Sequence, residues 1–281
     1  MNLTNYHTHS TFCDGHSPME DFVKAAVAMG FTSLGFSSHS PLPYRTRWTM
    51  DAPRMSHYLA EFERLRAAYS SLIDLFVGLE IDYLTPAHCP ASEYFTSLPL
   101  DFRIGSVHTV IDDDGRIHEI DCPVETFQSI VNEYFSGDVD EVVRRYFARL
   151  MSMVAAGGFD IVGHADKMHA LAQTMHPSLT ELPWFRRLIG DYFEAIAEHG
   201  YIVEMNTKKY DTAGRFFPDA QWYSLLHGLG VPVTVNSDAH FPERLNSGRL
   251  EGLKQLKRAG YTHVMQLQAA GRWCAVEIST E

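Results

Sequence analysis

The chain has 281 residues, with 23 Lys and Arg against 35 Asp and Glu, so its formal net charge is −12 at pH 7. This acidity disfavours nucleic acids and anionic membranes as partners, because their phosphate groups require compensating cations. The hydrophobic fraction of 45% and the charged fraction of 21% are those of an ordinary globular protein with enough apolar material for a core. At this length we expect one barrel domain over residues 1–281.

The cysteines and the N-terminus indicate a cytoplasmic protein. Cys13, Cys89, Cys122 and Cys274 lie far apart without a Cys-x-x-Cys spacing, which is typical of reduced thiols. The first residues have neither the basic nor the apolar region of a secretory signal. No run approaches 18 uninterrupted apolar residues, so we expect no transmembrane helix.

Short apolar runs alternate with amphipathic stretches along the chain, which predicts the βαβα order of a parallel sheet or barrel. Helices are predicted from Pro18 to Gly30 and over about 54–71. Two more are divided near 137–138, and the second of them ends at 157–158. Further helices are predicted over 185–199, 219–229 and 247–259. Strands are predicted over 2–6, 33–36, 75–78, 104–107, 161–163, 201–205 and 231–235, with a tail pair at 262–267 and 273–278. Residues 82–99 are predicted to form a long loop with one short helix, and 112–115 a turn.

Residue types that bind metals follow these predicted strands. They are His7 and His9, His39, Glu80, His108, His164, and finally Asp238 and His240. Residues i and i+2 of a strand point the same way, so His7 and His9 can bind one ion together. The carboxyl ends of barrel strands meet at one rim, where barrel enzymes place their chemistry. The pattern therefore predicts a hydrolase with several metal ions.

The order of the motifs resembles that of the polymerase-and-histidinol-phosphatase (PHP) superfamily. Its details are most similar to the histidinol-phosphate phosphatase branch at Phe12-Cys13, Ser38-His39-Ser40-Pro41-Leu42-Pro43, Gly78-Leu79-Glu80-Ile81-Asp82-Tyr83, Gly105-Ser106-Val107-His108 and Glu204-Met205-Asn206-Thr207. The resemblance spans residues 7–240. It implies an α/β fold, a distorted TIM-like (β/α)7 barrel with a trinuclear metal site at the carboxyl ends of the strands.

The resemblance also implies a ligand set. His7, His9 and Asp238 would bind the first ion, Glu80 would bridge it to a second ion held by His108 and His164, and His39 and His240 would bind the third. A residue of the loop after the first strand would complete the third site. Asp14 is favoured there because an Asp-Gly step suits a tight turn, and His16 remains an alternative. Asp238, His240 and Glu80 would be the catalytic residues.

Imidazole and carboxylate ligands without a thiolate suit zinc, manganese or iron. Three such divalent ions would lower the pKa of a water between them, and the resulting hydroxide would attack phosphorus without a side-chain nucleophile. The resemblance implies a small-molecule substrate, L-histidinol phosphate, which would yield L-histidinol and phosphate in histidine biosynthesis. Candidate contacts to the substrate are Arg45, Lys167, Asn206, Lys208 and Arg244, with Asp82 or Asp166 as a carboxylate for its amine.

Other functions remain open at this point. A PHP phosphoesterase of different or broad specificity, including action on nucleotides, would share the same motifs. A metal-binding module without turnover would be expected to lack ligands, yet the predicted strand ends all retain theirs. A barrel hydrolase of amides or lactones more often needs a bridging lysine, and no lysine occupies these strand ends. The sequence does not indicate the oligomeric state.

Overall fold

The computed structural model describes residues 1–268 and 271–280. Its centre is a seven-stranded sheet, in the order β1-β2-β3-β4-β7-β8-β9, in which all neighbouring strands are parallel. The strands are β1 (Thr4–Asn5), β2 (Ser33–Phe36), β3 (Asp74–Asp82), β4 (Phe102–Ser106), β5 (Thr109–Ile111), β6 (Ile117–Glu119), β7 (Ile161–Val162), β8 (Ile202–Asn206), β9 (Val233–Asn236), β10 (His263–Gln268) and β11 (Arg272–Glu277).

Contacts between the segments that follow β1 and β9 join the two edges of this sheet. A parallel bridge pairs Thr8 with Ala239. The amide of His9 donates to the Ala239 carbonyl at 2.9 Å, and the Ala239 amide donates to the His7 carbonyl at 3.1 Å. The sheet is therefore a nearly closed barrel of seven parallel strands, and the predicted fold is confirmed.

Helices lie between the strands around the barrel. They are α1 (Met19–Met29), α2 (Met55–Tyr69), α3 (Glu93–Thr96), α4 (Val124–Tyr134), α5 (Val139–Ala156), α6 (Lys167–Ala172), α7 (Pro183–His199), α8 (Tyr210–Ala213), α9 (Tyr223–Gly228) and α10 (Arg249–Arg258), with 3-10 turns at Ala52–Arg54, Leu179–Glu181, Ala220–Trp222 and Pro242–Arg244. The long helices agree with the predicted ones. Gly30 ends α1 with a φ of 79°, which a residue with a side chain rarely adopts. No helix of the described ranges is both long and apolar enough to cross a bilayer.

The antiparallel hairpin of β10 and β11 packs against the amino end of the barrel. The Tyr6 hydroxyl accepts a hydrogen bond from the Leu267 amide at 2.9 Å, and the Trp273 ring lies edge-on to the Tyr6 ring at 5.0 Å. Phe102 fills the interior beside them, where a Cβ on Gly35 or Gly78 would lie within 2.8 Å of its ring. This end of the barrel is a close-packed aromatic core.

Two features differ from the prediction. β5 and β6 form an additional hairpin around the predicted 112–115 turn, and three-residue strands are too short to show a two-residue period. β1 ends at Asn5, so His7 and His9 do not share a regular strand. The bridge at Thr8 instead holds both of them against the segment after β9.

Candidate metal centre

Glu80, in β3, lies at the centre of the polar side chains at the carboxyl end of the barrel. Its Oε2 is 3.1 Å from His7 Nε2 and 3.0 Å from His39 Nδ1. Its Oε1 is 2.8 Å from His164 Nε2 and 3.4 Å from His108 Nε2. Residues that follow four different strands thus meet at one carboxylate, and both of its oxygens have imidazole nitrogens beside them.

Asp238 and Asp14 join further histidines beside this group. Asp238 Oδ1 is 3.1 Å from His9 Nε2 and 3.4 Å from His240 Nδ1. Asp14 Oδ2 is 3.3 Å from His240 Nε2, while its Oδ1 is 3.8 Å from both His9 Nδ1 and His39 Nε2. The loop after β1 therefore contributes Asp14 to the same cluster.

The cluster fits divalent cations because buried ligand atoms in it lack hydrogen-bond partners. These atoms include His7 Nε2, His9 Nε2, His39 Nδ1, Glu80 Oε2 and Asp14 Oδ1. Unpaired buried polar atoms are costly, and bound cations would satisfy them. Within the described residues, potential ligand atoms lie within 4.8 Å of one another in three groups: His9, Asp14, His39 and His240; His7, His9 and Glu80; and His39, Glu80 and His108. These groups overlap and so could hold neighbouring ions.

Two further carboxylates orient the histidines from behind. Glu204, in β8, accepts hydrogen bonds from His7 Nδ1 at 2.9 Å, from the His164 amide at 2.8 Å, and from the Asn206 and Asn236 side chains. Asp82 accepts from His108 Nδ1 at 3.0 Å. The bonds from His7 and His108 occupy Nδ1 and leave Nε2 facing Glu80, as in the carboxylate–histidine pairs of known metal sites. The sequence did not predict that either carboxylate orients a histidine. A signal for Glu204 was its position two residues before the candidate Asn206 on the same strand.

The local electrostatics favour ionised carboxylates. Burial opposes the charge on Glu80 and Asp238, but neighbouring basic side chains hold both pKa values well below their ordinary range. These side chains are His39 and His7 for Glu80, and Lys208 and His7 for Asp238. A cation entering the cluster would therefore meet two negative charges already in place.

The histidines differ among themselves. Burial, reinforced by His240 and His39, holds the pKa of His9 well below its ordinary value, and burial together with Lys167 lowers the pKa of His164 to about 4. Both imidazoles are neutral at pH 7. Burial opposes charge on His7 as well, but Glu204, Asp238 and Glu80 raise its pKa well above the usual value. A cation binding at His7 Nε2 must displace a proton.

The backbone is strained at two of these positions. His164 has a φ of 25° and Asp238 a φ of 47°, both in the left-handed region that residues with side chains seldom adopt. Such strain persists where the surrounding structure imposes it, and it is concentrated at functional sites. Here it turns the chain at the ends of β7 and β9.

Several predicted residues lie elsewhere. His16 is exposed and stacks on Phe241, with ring centroids 4.1 Å apart, so the cluster contains Asp14 and not its alternative. Arg45 is exposed and does not line the cavity at the cluster. The half-exposed Arg244 pairs with Asp211 at 3.1 Å. The interpretation of Asp82 and Asp166 as amine contacts is not supported, because both carboxylates already have partners. Asp82 accepts from His108, and Asp166 pairs with His169 and accepts from the Asp219 amide.

The remaining candidates lie near the cluster. Lys208 Nζ is 3.1 Å from Asp238 Oδ1, and the Asn206 side chain donates to Asp238 Oδ2 at 3.2 Å. Lys167 Nζ lies 2.6 Å from Asp121 Oδ2. A cavity of about 100 Å³ opens over the cluster, lined by Asp14, His39, Trp48, His108, Glu119, Asp121 and Lys208. Sequence reasoning missed Trp48, Glu119 and Asp121 because the loop and hairpin that carry them have no strong periodic pattern.

Comparisons with known proteins agree with this geometry. Residues 5–208 match the sequence model of the PHP domain family. A probable histidinol-phosphatase of Deinococcus radiodurans is 25% identical over 92% of this chain and 94% of its own length, and the histidinol-phosphatase of Bacillus subtilis is 24% identical over 85% and 94%.

Solved structures show the same fold. The putative histidinol phosphatase of Listeria monocytogenes superposes with a TM-score of 0.75 at 20% identity, over 87% of this chain and 98% of that one. The histidinol phosphate phosphatase of Lactococcus lactis, solved in complex with zinc, L-histidinol and phosphate, gives a TM-score of 0.68 at 19% identity, over 97% and 99%.

Proposed function

The chain belongs to the PHP domain family, and from that membership we propose that it is a metal-dependent phosphatase of small phosphate monoesters, with L-histidinol phosphate as its substrate. The observation that carries the proposal is the position of Glu80, whose two buried oxygens lie among imidazoles from four strand ends. Relatives that share most of its length are named histidinol-phosphatases.

We propose three divalent ions of zinc, manganese or iron. His7, His9 and Asp238 would hold the first, Glu80 would bridge it to a second at His108 and His164, and Asp14, His39 and His240 would hold the third. The overlap of the three ligand groups supports neighbouring ions, and the zinc complex of the Lactococcus lactis relative supports their chemical class. Bound there, such ions would supply an acidified water and neutralise phosphoryl charge.

The chain's own side chains would position the ester. The ammonium of Lys208, at the cavity wall beside Asp238, is placed to attract a phosphoryl oxygen. The charge of Asp238 is retained by Lys208 and His7, so it can orient groups that approach the centre as well as bind a cation. The cavity is narrow, and the organic part of an ester would extend toward its mouth.

The mouth of this cavity favours a cationic organic group. Glu119 and Asp121 line it together with the ring of Trp48, which lies 4.8 Å from the His39 ring. Carboxylates attract the amine of L-histidinol phosphate, whereas a nucleotide diester has no ammonium group to pair with them. This acidic mouth favours the amino-alcohol ester over the alternative of a nucleotide substrate.

The test is phosphate release by the metal-loaded protein from L-histidinol phosphate, from a monoester of similar size without an amine, and from a nucleotide diester. We expect at least about a tenfold preference in kcat/KM for the first, since about 1.4 kcal/mol is near the low end of the coupling energy of a close charge pair. Metal removal should abolish release from all three. Similar efficiency on both monoesters would contradict the substrate, and no release from any of them would contradict the phosphatase function.

A further inference from the structure

A second cavity lies beside the metal centre, at the carboxyl ends of β7 and β8. Its volume is about 450 Å³, within the range of small-molecule sites. It is lined by Asp121, Cys122, Pro123, Val124, Lys167, Ala170, Leu171, Lys209, Thr212, Ala213, Arg215 and Phe217. Apart from Lys167 and Asp121, none of these residues belongs to the candidate site described above or to its predicted contacts, and Asp121 lines both cavities.

The charge of this cavity is opposite to that of the whole chain. Lys167, Lys209 and Arg215 line it, and Asp121 is the one carboxylate in the lining, within a chain of net charge −12. Asp121 is already paired with Lys167 at 2.6 Å. Across residues 1–268 and 271–280, no carboxylate lies within ion-pair distance of Lys209 or Arg215. The Arg215 guanidinium has a neutral partner, the Gln173 side-chain oxygen, at 3.3 Å.

The rest of the lining is largely apolar. Val124 and Leu171 contribute aliphatic side chains, and Phe217 contributes an aromatic ring that is 6% exposed. Cations together with apolar side chains are the lining expected for an organic anion, since the charged groups bind its head and the apolar side chains contact its body. The amine-bearing part of the proposed substrate does not suit this cavity, because three cations would repel it.

Hydrogen bonds connect the cavity to the metal centre. The Phe217 backbone pairs with that of Asn206 in both directions, at 2.7 and 3.0 Å, and the Asn206 side chain donates to Asp238. Asp121 lines both cavities, and its carboxylate pairs with Lys167. A ligand on one side of this ion pair therefore acts electrostatically on the other side.

We propose that this basic cavity is a second binding site, which takes a small organic anion with a carboxylate or phosphate group on an apolar body. Arg215 and Lys209 bind the anionic head, and Leu171 and Phe217 cover the body. The bound anion offsets part of the positive charge of Lys167, so it weakens the attraction of an anionic ester to the neighbouring centre. Binding at the second cavity thus raises the KM of the phosphatase proposed above.

The test uses two probes, benzoate for a carboxylate head and phenylphosphonate for a phosphate-like head, titrated calorimetrically into the metal-loaded protein. We expect Arg215→Gln to weaken binding of the preferred probe at least about tenfold. Arg186→Gln is the matched control, since exposed Arg186 likewise has one neutral partner, the Thr180 carbonyl at 3.0 Å, and lies outside the cavity. It should change binding less than about twofold. Lys209→Gln serves as a second variant if Arg215→Gln does not fold.

Phosphate-release kinetics separate this site from simple competition at the metals. In the wild type the preferred probe should raise KM, and in Arg215→Gln the same concentration should raise it much less. Failure of both probes to bind the wild type at millimolar concentration would overturn the proposal. So would equal binding by the wild type and Arg215→Gln, or an equal rise in KM in both, which would place the probe at the metal centre. Calorimetric binding does not require turnover, so it tests this site even if the proposed phosphatase function fails.

Discussion

The two ends of the barrel both contain fully buried side chains, and these side chains have opposite chemistry. At the amino end, Tyr6 and Phe102 are fully buried among aromatic and aliphatic neighbours. At the carboxyl end, Glu80 and His9 are fully buried among imidazoles and carboxylates. Single strands carry both, as in β3, where Phe76 and Glu80 lie four residues apart. Burial alone therefore does not distinguish core from site, and position along the strand does.

The physical consequence is a division of stability and function. Rings packed against rings stabilise the folded state without any ligand. Buried carboxylates and imidazoles instead carry a desolvation cost that paired charges or cations must offset. The amino end should therefore set the stability of the protein, and the carboxyl end its metal content and activity.

The largest effect expected is the loss of function in Glu80→Gln. The amide removes a negative charge from the point where the imidazoles converge, so bound metal should fall and phosphate release should decrease by more than about 100-fold, the upper range for loss of an outer partner. Metal content and kcat/KM are the measurements. Glu63→Gln, an exposed glutamate of α2 paired with Arg66, is the control. Retention of full activity and metal by Glu80→Gln would contradict the central role of this residue.

A substitution at the amino end of the barrel should instead lower stability and leave metal binding unchanged. Phe102→Ala removes a ring that occupies the space above Gly35 and Gly78, so we expect a loss of about 3–5 kcal/mol in the free energy of unfolding. Urea unfolding measures it, with Leu72→Ala as a control because Leu72 is 60% exposed. The metal content of the folded variant should equal that of the wild type. A matching loss of metal would show that the two ends are not separable.

An intermediate loss of metal affinity is expected for Glu204→Gln, because Glu204 is hydrogen-bonded to His7 and to the backbone of His164. Its carboxylate receives four hydrogen-bond donors, and an amide NH₂ would oppose some of them, so His7 and His164 should be less well oriented. Metal affinity should fall about 10–100-fold. Competition with a chelator measures it. An unchanged affinity would mean that Glu204 is structural only.

The sequence predicted the carboxyl end better than its surroundings. Histidines and acids after apolar runs are unusual enough to show in the sequence, and Glu80, His108 and His164 do meet as expected. The aromatic amino end was not predicted, because Tyr6, Phe102 and Trp273 are ordinary apolar residues whose contact depends on a hairpin 260 residues from the first strand. The acidic mouth and the basic second cavity depend on loops, where no periodicity guides prediction.

The smallest effect expected concerns a polar group outside both the metal cluster and the aromatic core. His169, in α6, is buried with Nδ1 at 3.1 Å from Asp166 and Nε2 at 3.7 Å from Asp219, and it joins the segments after β7 and β8. Burial opposes its charge, but the two carboxylates raise its pKa to about 10. The folded-state pKa lies above the ordinary value of 6.5, so the stabilisation is fully present below about pH 6.5 and is lost as pH rises through about 10.

Unfolding free energies between pH 7 and pH 10 test this assignment. The wild type should lose more stability over that interval than His169→Gln, which has no imidazolium to deprotonate. The difference between the two proteins removes the contribution of lysines and tyrosines, which titrate in both. His57→Gln, on α2, is the control and should follow the wild type. Parallel curves for the wild type and His169→Gln would show that the contacts of His169 with Asp166 and Asp219 add no pH-dependent stability.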